Sequence, residues 1–214
     1  MAVMGRPRTF DRDKAVDEAL HLFWQNGFEA TSLNQLKAAM GGGISAPSFY
    51  AAFGSKEALF QECVQRYLET YAQVTECLWD TDMAPRDAIE TALRQSARMQ
   101  YERGHPKGCM VGLGVMSAPS EEHASVSAAL TRSRSRTRKG FVACVQRGID
   151  RGELDPGVAP EGLAAVFDAF LMGLSVLARD RVRLSVVEAG IGQVMLAWDA
   201  AARSERDAAR AGRA

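Results

Sequence analysis

Residues 31–60 read TSLNQLKAAMGGGISAPSFYAAFGSKEALF and contain the start and stop signals of two short helices. Ser32 is followed three residues later by Gln35, which is the spacing of a capping box at a helix N-terminus. Three glycines, at positions 41–43, end that helix. Ser45 can cap the next helix, whose first turn tolerates Pro47 because the missing N–H is not needed there. The pattern predicts two short helices separated by a glycine turn.

A longer helix is predicted on each side of this pair. Upstream, a helix from about Asp11 to Asn26 is followed by Gly27, a typical C-terminal stop. Downstream, Ser55 caps a helix whose apolar stripe continues as far as Trp79. Since no segment shows the sustained alternation of a half-buried strand, the predicted fold class is all-α.

Proline and glycine separate the remaining segments, and the last two helices are predicted at about 160–179 and 184–202. Both are rich in apolar residues and together resemble a helical hairpin. We predict that they pair with the same helices of a second copy in a four-helix bundle. The residues predicted at this dimer interface are Phe167, Phe170, Leu174, Ile191, Met195 and Trp198.

The composition restricts the class of protein. A chain of 214 residues that is 47% hydrophobic and 24% charged can bury a proper core. Lys and Arg together number 26, as do Asp and Glu, so any nucleic-acid surface must be local. Because no apolar run has the length of a signal peptide or a membrane helix, we expect a soluble, cytoplasmic protein without a membrane partner. The four cysteines are scattered without a CxxC pair, which predicts free thiols rather than a structural metal site.

The runs 31–41 and 44–60 closely resemble the DNA-binding domain of the TetR/AcrR family of repressors. The resemblance extends upstream over residues 5–10 and the first helix to Phe28, and residues 173–180 are weakly similar to the dimerisation helices of one branch. It implies an N-terminal three-helix helix-turn-helix domain joined to a larger helical ligand-binding and dimerisation domain. One departure from the family pattern is the glycine triplet 41–43, where one or two residues are usual, and it predicts a longer turn.

The resemblance also implies how the domains are arranged and what they bind. The expected domains are a helix-turn-helix domain with a basic N-terminal arm at 1–56, a regulatory and dimerisation domain at 57–202, and a frayed tail at 203–214. The implied partners are a double-stranded DNA operator, a second copy of the chain and an unknown small-molecule effector. No cofactor is implied.

Small or polar residues near the N-terminus of a recognition helix can approach base edges in the major groove. Tyrosine and lysine side chains, and hydroxyls at helix starts, suit phosphates, and arginines beside a proline suit a narrow minor groove. The candidate base contacts are Ser45, Ala46, Pro47 and Ser48. The candidate phosphate contacts are Tyr50, Lys56, and Thr31 or Ser32, and the candidate minor-groove residues are Arg6 and Arg8.

Cys109 follows Lys107 and Gly108 and opens the apolar segment 110–116. A thiol at a helix N-terminus beside a lysine is stabilised as the reactive thiolate. The position also resembles that of the sensing cysteine in electrophile- and oxidant-responsive members of the family. The alternative is that Cys109 is only a packing residue. A metal site with His105 is not predicted, because Pro106 and Gly108 would interrupt the helix needed to align the two side chains.

We therefore predict a homodimeric transcriptional repressor, released from its operator by a small molecule or a thiol-reactive signal. An activator or architectural DNA-binding protein without an inducer is one alternative, and a helical adaptor that binds a partner helix is another. An enzyme is not predicted, because the sequence has no nucleophile and base at a recognisable spacing and no cofactor loop.

Overall fold

The computed structural model describes residues 10–114 and 126–202, and this part of the chain is helical with no named β-strand. The all-α prediction is confirmed. The predicted arm residues Arg6 and Arg8 and the tail at 203–214 lie outside the described residues. The described α-helices are α1 (Arg12–Asn26), α2 (Leu33–Ala39), α3 (Ala46–Phe53), α4 (Lys56–Glu69), α5 (Pro85–Tyr101), α6 (Met110–Leu113), α7 (Ala128–Asp150), α8 (Pro160–Arg179) and α9 (Leu184–Ala201), with 3₁₀ segments at Met40–Gly42 and Tyr71–Trp79.

The start and stop signals read from the sequence act as predicted. α1 ends at Asn26 with Gly27 as its C-cap, and the Asp11 side chain, a cap that sequence analysis did not identify, accepts a hydrogen bond from the Lys14 N–H at 3.1 Å. Ser32 and Gln35 form the complete capping box of α2. Ser45 caps α3. These contacts satisfy backbone N–H groups that have no partner inside the helix.

The turn between α2 and α3 is built on its three glycines. Gly41, Gly42 and Gly43 have φ angles of 57°, 84° and 110°, a region that favours glycine because it has no Cβ. The Ile44 N–H then donates to the carbonyl of Lys37 at 3.0 Å and closes the turn. The glycines therefore form the turn between α2 and α3 as predicted, and its greater length relative to the family stays a prediction.

The helix predicted to run from residue 56 to Trp79 is interrupted, and this prediction was wrong. α4 ends at Glu69, and Thr70 has non-helical φ and ψ angles of −117° and −84°. The Thr70 hydroxyl donates to the Arg66 carbonyl at 2.7 Å, so its side chain competes with the next helical hydrogen bond. The apolar stripe continues through the 3₁₀ segment that starts at Tyr71, which explains why its periodicity resembled one helix.

The core has two hydrophobic clusters. The first joins α1 to α4, with Phe23 and Phe60 in edge-to-face contact at 5.0 Å, and extends to Met110 of α6. The second joins α5 to α7, α8 and α9. Ion pairs also join α4 to α1: Arg66 binds Asp13 and Asp17 at 3.0 and 2.8 Å, and Arg12 binds Glu62 at 2.6 Å. The domain boundary at residue 56 stays a prediction, and α4 packs with the N-terminal elements.

Gly148 of α7 lies against a buried tryptophan, and replacing it is expected to destabilise the fold. A Cβ at this position would lie 2.5 Å from Cη2 of Trp198 and 3.0 Å from Cδ1 of Leu154. We expect Gly148→Ala to lower the free energy of unfolding, because overpacking costs about 1–3 kcal/mol. That cost exceeds the gain of about 1 kcal/mol from replacing glycine by alanine in a helix. Urea denaturation measures the difference.

Gly162 of α8 provides the matched control. A Cβ there would meet only Ala159 Cβ, at the ordinary contact distance of 3.7 Å. Gly162→Ala is therefore expected to be neutral or slightly stabilising. Equal stability of Gly148→Ala and the wild type would contradict the packing of α7 against α9 described above.

Candidate nucleic-acid interface and regulatory core

The exposed face of α3 carries the residues predicted to contact bases. Ser45 Oγ accepts from the Ser48 N–H at 3.2 Å, and the two hydroxyl oxygens are 2.8 Å apart. Both serines and Pro47 are exposed, and Ala46 is half-buried. The opposite face is anchored in the core, because Phe49 is fully buried. α3 thus presents small polar groups outward from a firmly packed helix.

Tyr50 and Lys56 flank this face. The Tyr50 side chain is 52% exposed, and its ring meets that of Phe49 edge to face at 5.6 Å. Lys56 is the first residue of α4, and its Nζ lies 4.3 Å from the centre of the Phe28 ring. Burial lowers the pKa of Lys56, and the nearby carboxylates of Glu29 and Glu57 act in the opposite direction. The aromatic ring holds the lysine stem at the start of α4.

The two hydroxyl residues before α2 have different environments. Thr31 is fully buried and donates to the Gly27 carbonyl at 2.7 Å, so it cannot reach DNA. The prediction for Thr31 was wrong, because its hydroxyl is needed at the end of α1. Ser32 is exposed at the N-terminus of α2, where its Oγ accepts from the Gln35 N–H at 3.2 Å. Ser32 remains a candidate phosphate contact.

Cys109 packs against the first hydrophobic cluster and caps the short helix α6. Its Sγ accepts a hydrogen bond from the Tyr67 hydroxyl at 3.2 Å and from the Gly112 N–H at 3.5 Å. The side chain of Lys107 is used elsewhere, since its ammonium donates to the carbonyls of Tyr101 and Glu102 at the end of α5. The polar setting of the thiol therefore comes from Tyr67 and a backbone amide.

The other cysteines are less suited to react. Cys63 and Cys144 are fully buried, and burial raises the pKa of Cys63 strongly and that of Cys144 to about 11. Cys77 is half-buried, and its pKa is also raised by burial. Because the thiolate is the reactive form, all three are disfavoured as nucleophiles at neutral pH.

A cavity of about 50 Å³ lies beside Cys109. Its polar wall includes Ser96, whose buried Oγ has no hydrogen-bond partner among the described residues, and Ser175, which donates to Gln100 Oε1 at 3.0 Å. Asp168 also lines the cavity and binds Arg138 at 2.7 Å. The space is enough for a few waters or a very small molecule.

Sequence analysis did not find these cavity residues. A signal exists for two of them: Asp168 and Ser175 are seven residues apart and interrupt the apolar inner face of α8. Ser96 and Gln100 are likewise buried polar residues four apart on α5. Polar residues on the core-facing side of a helix are unusual, so their presence could have indicated a polar cavity in the core.

The predicted dimer-interface residues need correction. Five of the six pack inside their own chain and are at most 3% exposed, so they cannot contact a partner: Phe167, Leu174, Ile191, Met195 and Trp198. Phe170 is only partly buried. The exposed apolar side chains on the same two helices are instead Val166, Val176, Val186 and Leu196, which are 42–53% exposed. α8 and α9 therefore still have an uncovered apolar face, composed of other residues.

Two family models cover most of the chain. Residues 15–63 match the model described as bacterial regulatory proteins, tetR family. Residues 85–183 match the model described as tetracyclin repressor-like, C-terminal domain. The first match runs from within α1 to within α4, and the second spans α5 to α8.

Known relatives agree with these matches. The HTH-type transcriptional repressor ComR of Escherichia coli is 32% identical over 197 residues, which covers 91% of each chain. A solved structure of a cysteine mutant of the TetR family regulator CifR, complexed with 26-bp operator DNA, is 36% identical with a TM-score of 0.79. It covers 91% of this chain and 100% of that one. The reduced form of E. coli NemR, at 22% identity and a TM-score of 0.65, shares the fold over 86% of this chain and 94% of that chain.

Both family models follow the division into a helix-turn-helix part and a helical C-terminal part, and both describe regulators rather than enzymes. The chain belongs to the TetR family of bacterial regulatory proteins.

Proposed function

We propose that this protein is a transcriptional repressor that binds a pseudo-palindromic operator as a homodimer in the cytoplasm. A small molecule or a thiol-reactive compound acting at the Cys109 cavity releases it. The observation that carries the proposal is the exposed, polar N-terminal half of α3, held outward by the buried Phe49 and Phe53. The repressor ComR and the operator-bound CifR support the same assignment.

In the proposed complex α3 enters the major groove. Ser45 and Ser48 face base edges, where a hydroxyl can donate or accept a hydrogen bond. Tyr50, Lys56 and Ser32 contact phosphates on either side and set the register of the helix. Two such helices, related by a two-fold axis, read half-sites about one helical turn apart.

The dimer forms through the uncovered apolar face of α8 and α9. Sequence analysis found no uninterrupted apolar run of membrane-spanning length, because Asp168 interrupts α8. By length and mean hydropathy α8 is nevertheless apolar enough to cross a membrane, and 33% of its most apolar window is buried within the chain. A helix of this composition in a dimer would be covered by the same helix of a second copy. Val176 and Leu196, on this face, are the proposed contacts.

Release begins at Cys109. A group attached to Sγ would displace the hydroxyl of Tyr67, which is fully buried in α4. Tyr67 meets the ring of Trp24 edge to face at 4.8 Å, and Trp24 belongs to α1 of the helix-turn-helix domain. The proposed signal passes from the thiol through α4 to the DNA-binding domain.

The test replaces one proposed phosphate contact and one proposed base contact. Lys56→Ala is expected to weaken binding to all DNA sequences about equally and to reduce the salt slope by about one unit. Ser48→Ala is expected to leave the salt slope unchanged and to alter the preference among operators, at roughly 1 kcal/mol per affected base pair. DNA-selection sequencing followed by salt titration measures both effects. A Lys56→Ala protein with an unchanged salt slope and altered sequence preference would show the two assignments to be wrong.

A further inference from the structure

The C-terminal end of α1 is bound by an arginine from α8. Arg179 Nη2 donates to the carbonyl of Trp24 at 2.9 Å, and Nη1 donates to that of Gln25 at 3.2 Å. Both carbonyls lie in the last turn of α1, where no intrahelical N–H is available. α1 has no basic residue of its own in that turn. Arg179 therefore supplies the cation that the negative end of the helix favours.

The same guanidinium also holds the loop before Cys109. Its Nε donates to the Lys107 carbonyl at 2.7 Å, so the three bonds of one side chain join α8, α1 and this loop. Burial lowers the pKa of Arg179. The planar fork of an arginine can serve three carbonyls at fixed angles, which a lysine cannot do.

The loop at 105–109 is packed tightly between the two helices that Arg179 joins. Trp24 Nε1 donates to the Gly108 carbonyl at 2.9 Å, and the His105 ring stacks on Trp24 at 4.6 Å. On the other side the Cys109 N–H donates to Ser175 Oγ at 3.2 Å. Gly108 has a φ of 83°, and a Cβ there would lie 3.0 Å from the Ser175 carbonyl oxygen. The loop is therefore in direct contact with both α1 and α8.

We propose that Arg179 is the positioning residue that sets the angle of the DNA-binding domain on the dimerisation helices, and hence the spacing of the two recognition helices. The inference rests on the proposed function as a dimeric operator-binding protein. α8 carries Ser175 at the cavity, Val176 on the uncovered face and Arg179 one turn further along. One rigid helix therefore connects the effector cavity, the partner copy and α1. This route reaches Trp24 of α1 from α8, whereas the route through Tyr67 reaches the same residue from α4.

The test measures binding as a function of half-site spacing. Operators found by DNA selection are altered by inserting or deleting one base pair between the half-sites, which changes both their separation and their relative rotation. The wild type is expected to lose affinity by at least about tenfold on either change, the size of a typical coupling between sites. Arg179→Gln is expected to lose less than about threefold, because its DNA-binding domains adjust to either spacing. Its affinity for a single half-site is expected to equal that of the wild type.

Two further variants control for charge and for folding. Arg183→Gln removes the same charge from an exposed position four residues away and is expected to keep the spacing preference of the wild type. Arg179→Lys keeps the positive charge but lacks the planar guanidinium group. Its spacing preference is expected to lie between those of the wild type and Arg179→Gln. Should Arg179→Gln fail to fold by circular dichroism, Arg179→Lys decides the question alone.

The outcomes separate this inference from the function on which it rests. A wild type without any spacing preference overturns the dimeric operator function, and with it the inference. A wild type with a spacing preference that Arg179→Gln and Arg179→Lys both retain overturns the inference alone. Loss of half-site affinity in Arg179→Gln would show that the arginine only stabilises the helix-turn-helix domain, and it also overturns the inference.

Discussion

Val176→Asp is expected to convert the protein to monomers and to weaken operator binding by at least about a hundredfold. The Val176 side chain is 43% exposed on α8 within the single chain, so aspartate is tolerated in the monomer. In the proposed dimer it would be buried against the partner, where an unpaired carboxylate is strongly unfavourable. Loss of the dimer leaves each half-site to be bound alone, and the gain from binding two linked half-sites disappears.

Because Val176 is exposed, its substitution tests dimerisation better than a substitution at Leu174, which sequence analysis placed at the interface. Leu174 is fully buried in its own chain, so Leu174→Asp would unfold the monomer and could not report on dimerisation. Gln95→Glu, on an exposed part of α5, adds the same charge away from the proposed interface and serves as the control. Sedimentation velocity gives the oligomeric state, and circular dichroism checks the fold. If Val176→Asp sediments as a dimer and binds the operator normally, α8 is not the interface.

Cys109→Ser is expected to bind the operator as the wild type does and to remain bound after treatment with N-ethylmaleimide. The wild type is expected to lose at least about tenfold in affinity under the same treatment, a loss typical of allosteric coupling. The difference has a structural cause: alkylation of Sγ breaks its contacts with Tyr67 and Gly112, whereas serine has no reactive thiol.

Cysteine mapping decides whether Cys109 is the site. Mass spectrometry after limiting N-ethylmaleimide is expected to find Cys109 modified first, because burial raises the pKa of Cys63, Cys77 and Cys144. Cys77→Ser, which removes another half-buried thiol, is the control and is expected to be released like the wild type. If another cysteine reacts first, or if Cys109→Ser is still released from the operator, covalent sensing at Cys109 is refuted. A non-covalent ligand of the cavity is then the proposed signal.

Local signals in the sequence were sufficient for the elements of the DNA-binding domain. Ser32 and Ser45 cap their helices as predicted, and the glycines at 41–43 adopt positive φ angles in the turn that follows α2. A cap or a stop depends on backbone groups within three or four residues, so its residue type and spacing are enough to identify it. Apolar periodicity is also a local signal, and here it predicted the wrong element. The spacing of apolar residues continued past Thr70, although the α-helix ended at Glu69 and a 3₁₀ segment followed.

The sequence by itself determined the helical class, the caps, the glycine turn and the exposed polar start of α3, because each depends on neighbours along the chain. Only the tertiary structure decided that Thr31 is buried, that Val176 rather than Leu174 is exposed on α8, and that Arg179 binds α1. Helical periodicity shows which residues share a face, but it does not show whether that face is covered by the same chain or left for a partner. The bond from Arg179 to Trp24 joins residues 155 positions apart, and no local pattern encodes a contact at that separation.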